Sequence, residues 1–130
     1  MENKPHFIII DDDRINNMIC RMLISKIFKE VDVKDFTIAQ EGLEFMKTEY
    51  AKDENKSAIL LLDINMPIMS GWDFLVIFDE LEESLKQKFQ IYIVSSSIDY
   101  SDIEQAKSNR HVIGFLSKPL TKEALLAIVK

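Results

Sequence analysis

Charged and hydroxyl residues recur where apolar runs of this chain stop. The run Phe7-Ile8-Ile9-Ile10 meets three aspartates, Asp11, Asp12 and Asp13, and Ala58-Ile59-Leu60-Leu61-Leu62 stops at Asp63. Ile91-Tyr92-Ile93-Val94 gives way to Ser95-Ser96-Ser97, and Val112 to Leu116 leads into Lys118-Pro119. Adjacent like charges repel, and the end of a buried strand is a poor place for an uncompensated carboxylate. Several carboxylates gathered in one crevice therefore imply a divalent cation. An all-oxygen donor set that retains waters favours Mg²⁺. The ammonium of Lys118 is the second source of compensation.

These residues converge only if the elements before them are parallel strands. Phe7 to Ile10 is a continuous apolar run, as expected of a strand covered on both faces. Ile15, Met18, Ile19, Met22 and Leu23 follow at helical spacing. Val31 to Thr37 reads as a weaker strand, and Gly42 to Tyr50 as a helix with Leu43, Phe45 and Met46 on its apolar side. Lys52 to Lys56 is a charged loop before the strand Ala58 to Leu62. A helix is expected from about Trp72, with Leu75, Val76, Phe78 and Leu81 apolar. The strand Ile91 to Val94, a short helix from Asp102 to Ser108, the strand Val112 to Leu116 and a helix from Thr121 complete the order.

Strands alternating with helices give βαβ units, hence an α/β fold. We expect a doubly wound, five-stranded parallel sheet of flavodoxin-like order 2-1-3-4-5 in a three-layer αβα arrangement, with five helices. Ligands of such sheets bind outside the carboxyl ends of the strands, where the strand order reverses. Strands one and three are neighbours in this order, which brings Asp11, Asp12 and Asp63 together. Singly, each residue also has an ordinary role in a fold: Ser95 can cap a helix, and Asp13 reads as a helix N-cap or a solvated turn. Their agreement at one end of separate strands points to a site.

Composition narrows the alternatives. The 130 residues are 47% hydrophobic and 29% charged, with a formal net charge of -6. That is the profile of a soluble globular domain, and 1–130 reads as one domain. An acidic chain has no electrostatic support for nucleic-acid binding. Cys20 is the only cysteine, so no internal disulfide forms, which suits a reducing cytoplasm. No apolar run approaches the length of a membrane span or a signal-peptide core.

The stretch "LLLDINMPIMSGWDFL" resembles the receiver domains of bacterial two-component response regulators. It carries their D-x-x-M-P-x-M-x-G pattern at Asp63, Met66, Pro67, Met69 and Gly71. Asp11 and Asp12 match the family's acidic pair, Ser95 its hydroxyl residue, and Lys118 in "GFLSKP" its lysine. The resemblance covers essentially the whole chain and implies that Asp63 is a phosphoacceptor forming an aspartyl phosphate. It further implies that Mg²⁺ (or Mn²⁺) is held by Asp12, Asp63 and the backbone carbonyl of Asn65, with Asp11 acting through water. Lys118 would neutralise phosphoryl oxygens, and Ser95 and Phe115 would form the switch. Ser95 stands where threonine is commoner and Phe115 where tyrosine is frequent. The Lys118-Pro119 peptide bond is expected to be cis.

The resemblance also implies partners: a sensor histidine kinase or histidine phosphotransfer protein as donor, and a downstream protein as target. Nucleic acid and membrane are not expected as partners. A monomer or a phosphorylation-promoted dimer is expected, with the output surface running from Asp99 to Lys130. The chain is then a signalling domain and not an enzyme. Two rival readings exist. A haloacid-dehalogenase-type phosphatase would use Asp11 and Asp13, but it lacks an acidic metal motif after Lys118 and leaves the Asp63 loop without a role. A receiver fold that docks without phosphate is the binding-module alternative. Neither a Ser/Thr/Gly-rich loop for a flavin nor clustered glycines for a nucleotide is present. His6 and His111 read as solvated, and Trp72, Met66 and Met69 as packing residues.

Overall fold

A computed structural model describes residues 4–96 and 99–129; Ser97 and Lys130, part of the expectations above, lie outside the described residues. The elements run β1 (His6–Ile10), α1 (Arg14–Ile27), β2 (Asp32–Phe36), α2 (Ala39–Ala51), β3 (Ala58–Leu62), α3 (Gly71–Asp79), α4 (Glu83–Lys86), β4 (Phe89–Ser95), α5 (Tyr100–Ser108), β5 (Val112–Ser117) and α6 (Lys122–Val129). All strand pairs are parallel and the order is β2-β1-β3-β4-β5, as expected.

Period-two alternation divides the core into two halves. On one face, Ile8, Ile10, Leu60, Leu62, Ile91 and Ile93 pack against α2, α3 and α4 through residues such as Leu43, Met46, Phe74 and Phe78. On the other, Phe7, Ile9, Ile59, Leu61 and Val94 meet Cys20 and Ile24 of α1 and Leu125 of α6. Both faces of β3 are covered and all five of its residues are buried, which explains its unbroken apolar run. Met66, Met69 and Trp72 pack against the first half, as read from the sequence.

Four expectations are corrected. Six helices form among the described residues, not five, because the four residues Glu83–Lys86 make a further turn. On α1 the spacing finds the helix but not its buried face. Ile15, Met18, Ile19 and Met22 are exposed at 53% or more, while Asn17, Cys20 and Ile24 are buried. Val76 of α3 is likewise exposed. Finally, neither histidine is merely solvated. His6 lies 3.3 Å from a carboxylate oxygen of Asp32 and edge-on to Tyr50. His111 packs edge-on to Phe78 and its Nε2 lies 2.6 Å from Asp79 Oδ1.

Candidate functional site

Backbone hydrogen bonds that extend the strand ladders fix the acidic residues at the carboxyl edge. The Asp63 N–H donates to the Ile10 carbonyl (2.9 Å) and the Asp11 N–H to the Phe36 carbonyl (3.1 Å). Both aspartates are thus locked one residue past their strands. Asp13 caps α1, its Oδ1 accepting from the N–H groups of Ile15 and Asn16 at 3.0 and 3.2 Å. Buried Asn17 donates from Nδ2 to the Asp11 carbonyl at 3.0 Å, tying α1 to the end of β1. After β3, the loop turns back tightly. A Cβ on Gly71 would lie 2.6 Å from the Asp63 carbonyl oxygen, so only glycine permits this approach. In the same loop Ile68 is fully exposed at φ 70°, a strained conformation for a β-branched residue.

Together, these constraints bring Asp11, Asp12 and Asp63 to one place. One carboxylate oxygen from each lies within 4.8 Å of the others. Asp11 and Asp63 are buried, and Asp12 is exposed at the mouth. Lys118 reaches in from the end of β5, with Nζ 2.6 Å from Asp11 Oδ2 and 3.7 Å from Asp63 Oδ1. The peptide bond that follows it, Lys118-Pro119, is cis. Ser95 is buried at the end of β4, where its Oγ accepts from Asn65 Nδ2 at 3.4 Å. Phe115 is half-buried on β5, paired in register with Ile93 and packed on the core.

Electrostatics follow from the count. Three carboxylates face one ammonium, a formal excess of two negative charges. Burial and the neighbouring Asp11 push the Asp63 carboxyl up to about 6, against the pull of Lys118 and of the Asn65 N–H. Burial disfavours the Lys118 ammonium, but its hydrogen bond to Asp11 and the charges of Asp11 and Asp63 outweigh this and hold it above its ordinary value. The donor set is oxygen only, and its excess charge equals that of one divalent ion. It therefore fits Mg²⁺, a hard cation that binds few carboxylates and keeps its waters.

Residues 7–130 match the family model described as the response regulator receiver domain. The chain belongs to the response regulator receiver domain family. Solved structures agree. A response regulator receiver protein from Dyadobacter fermentans is 30% identical, with a TM-score of 0.86, over 96% of this chain and 94% of its own. A two-component response regulator from Cytophaga hutchinsonii is 28% identical, with a TM-score of 0.87, over 98% and 96%. A CheY-like receiver domain protein from Methanospirillum hungatei, 23% identical with a TM-score of 0.72, covers 97% and 91% and shares the fold. No match was found among curated proteins. A receiver is a signalling domain rather than a classical enzyme, and it works with histidine kinases or phosphotransfer proteins and with downstream targets. No helix among the described residues is long and apolar enough to cross a membrane.

Sequence reasoning missed three contributors. Asn16, Asn17 and the side chain of Asn65 all serve the aspartates or Ser95. Two adjacent asparagines just after the three aspartates were the available signal for the first two.

Proposed function

We propose that this chain is the phosphoacceptor of a two-component phosphorelay and that Asp63 carries the phosphoryl group. The observation supporting this most is the placement of Asp63: buried, beside Asp11 and Lys118, at the carboxyl edge of the central strand. A carboxylate oxygen of Asp63 attacks the phosphorus of a phosphohistidine donor. The new P–O bond forms as the P–N bond breaks, and the imidazole leaves with the electron pair. Lys118 aims its ammonium at the phosphoryl oxygens, stabilising charge that is already present in a transition state needing mainly positioning and electrostatics. Asp12, Asp63 and the Asn65 carbonyl would hold Mg²⁺, with Asp11 reaching it through water. When bound, the ion supplies Lewis-acid neutralisation of the same oxygens. Asp13 has no part in this, since its carboxylate is occupied in capping α1.

Two apolar surfaces give the domain its partners. Ile38 and Ile68 are exposed beside Asp12, Ile15 and Ile19 are exposed on α1, and these residues suit docking of the kinase or phosphotransfer protein. Tyr100, Ile103, Ile113 and Leu126 are exposed around α5, β5 and α6 and suit the downstream protein or a phosphorylation-promoted dimer. Ser95 would donate to the new phosphate. Phe115, lacking a phenolic hydroxyl, would move inward as the Ser95 loop closes. The domain, 1–130, acts in the cytoplasm.

Incubation with acetyl phosphate tests the assignment. Phosphorylation requires Mg²⁺, disappears in Asp63→Asn and persists in Asp13→Asn. Phosphate on Asp11 by mass spectrometry revives the phosphatase reading. A protein inert to acetyl phosphate and to phosphohistidine donors is a phosphate-independent docking module.

A further inference from the structure

The Asp11 carboxylate is held from three directions, and of the three donors only Lys118 has a part in the phosphotransfer proposed above. Its Oδ1 accepts the Asp13 N–H at 2.9 Å. Its Oδ2 accepts two donors at once: the Lys118 ammonium at 2.6 Å and the Asn16 amide, Nδ2, at 2.8 Å. Asn16 sits in the first turn of α1, is half-buried, and reaches back five residues to make this bond. The same amide also touches the buried thiol of Cys20 at 3.8 Å. Behind the aspartates, Asn16 and Cys20 wall a cavity of about 10 Å³, too small for more than one water.

Sharing one oxygen between Asn16 and Lys118 has a consequence for phosphotransfer. Lys118 lies nearer to Asp11 than to Asp63 in the unphosphorylated protein. Turning its ammonium to a phosphoryl group on Asp63 weakens its bond to Asp11. A buried carboxylate that loses a charged donor is costly unless another donor stays. The Asn16 amide is that donor, already on the same oxygen.

We infer that Asn16 is a positioning residue, which fixes Asp11 for its water-mediated contact with the metal and keeps it paired when Lys118 turns to the phosphoryl group. This rests on the phosphoacceptor reading, with Asp11 in the outer sphere of Mg²⁺. Hydrogen bonds that orient such groups typically govern metal affinity by 10–100-fold.

The test pairs Asn16→Ala with Asn16→Leu. Both remove the donor, and leucine keeps about the same bulk. Calorimetric titration of each unphosphorylated protein with Mg²⁺ is expected to show affinity weakened about ten-fold or more in both. The Mg²⁺ concentration for half-maximal phosphorylation by acetyl phosphate rises in parallel. Melting temperatures in chelator provide the separate structural readout. A role in packing alone predicts that the two variants differ in melting temperature while both bind Mg²⁺ as the wild type does. That outcome, or affinity within two-fold of wild type in a folded Asn16→Ala protein, overturns the inference. If Asn16→Leu fails to fold, Asn16→Ala decides. A wild-type protein that binds Mg²⁺ but is never phosphorylated refutes the phosphoacceptor reading instead, and the titrations still report on Asn16.

Discussion

The sheet has a charged cluster at each end, and the two are balanced in opposite ways. At the carboxyl edge, Asp11, Asp12 and Asp63 share one lysine. At the amino edge, where α3 ends and β5 begins, one aspartate is surrounded by bases. Asp79 Oδ1 lies 3.1 Å from Arg110, 2.6 Å from His111 and 3.8 Å from Lys86. Lys86 is buried and also donates to the Asp79 carbonyl at 2.8 Å. The carboxyl groups respond accordingly. Asp63 is pushed up to about 6, chiefly by burial and Asp11, whereas hydrogen bonds from His111 and Arg110 pull Asp79 down to about 2. One cluster is complete within the protein. The other is left two charges short, a deficit that suits a divalent cation.

Adding Mg²⁺ sharpens the contrast most. A ligand that binds only the folded state stabilises it by about 2.7 kcal/mol at a hundred times Kd and about 4 at a thousand. Urea melts in saturating Mg²⁺ against chelator should show a gain of this size for the wild type, and much less for Asp12→Asn. Equal gains in both proteins would mean that the ion binds elsewhere.

Removing one carboxylate from the deficient cluster should stabilise the protein, against the usual direction for a mutation. An acid whose pKa rises on folding takes up protons on folding, so its ionised form opposes the folded state. With Asp63 moved from 3.8 to about 6, the strain is full above pH 6 and gone below about pH 4. Asp63→Asn in chelator should therefore gain up to roughly 3 kcal/mol at pH 7, shrinking to nothing near pH 4. A variant less stable than wild type at pH 7 would show that Asp63 is adequately compensated without metal.

Gly71→Ala attacks the same cluster through its backbone. The new Cβ must displace the Asp63 carbonyl or Ile64, each less than 3 Å away. A loss of about 1–3 kcal/mol is expected, with weakened Mg²⁺ binding and no change at Asp79. Urea midpoints combined with metal titration read both effects. Unchanged Mg²⁺ affinity would mean that the loop yields without moving Asp63.

The two clusters also differ in how far the sequence revealed them. Asp11, Asp12, Asp63, Ser95 and Lys118 each follow an apolar run, so the strand ends marked the site once the strand order was given. The strands were legible because a sheet covered on both faces needs continuous apolar stretches, such as Ala58 to Leu62. Asn16 was not legible, since its bond to Asp11 depends on how the chain turns into α1. Nor was the α1 face. The apolar stripe of Ile15, Met18, Ile19 and Met22 satisfies helical periodicity, yet the fold turns Asn17, Cys20 and Ile24 inward. Periodicity cannot tell a core from a surface kept apolar for a partner. The Asp79 cluster joins residues 32 apart, and no motif announces it.

That second cluster yields the smallest effect. Asp79 is half exposed, and pairs of that kind contribute little because water competes for both partners. Two donors, Arg110 and His111, converge on one oxygen, however, and the buried Lys86 lies 3.8 Å from it. Asp79→Asn removes the charge that Arg110 and His111 bind, while Lys86 keeps its bond to the Asp79 carbonyl and its ion pair with Glu83. The expected result is a melting temperature lowered by less than Asp63→Asn raises it. The pH dependence has the opposite form. An acid whose pKa falls on folding gives up its proton on folding, so its contribution is complete above about pH 4 and fades as pH falls toward 2. The deficit of Asp79→Asn against wild type should therefore narrow below pH 4. Mg²⁺ should leave it unchanged, since the proposed cation site lies at the other edge of the sheet. A deficit that Mg²⁺ removes would show that the two edges are coupled through the sheet.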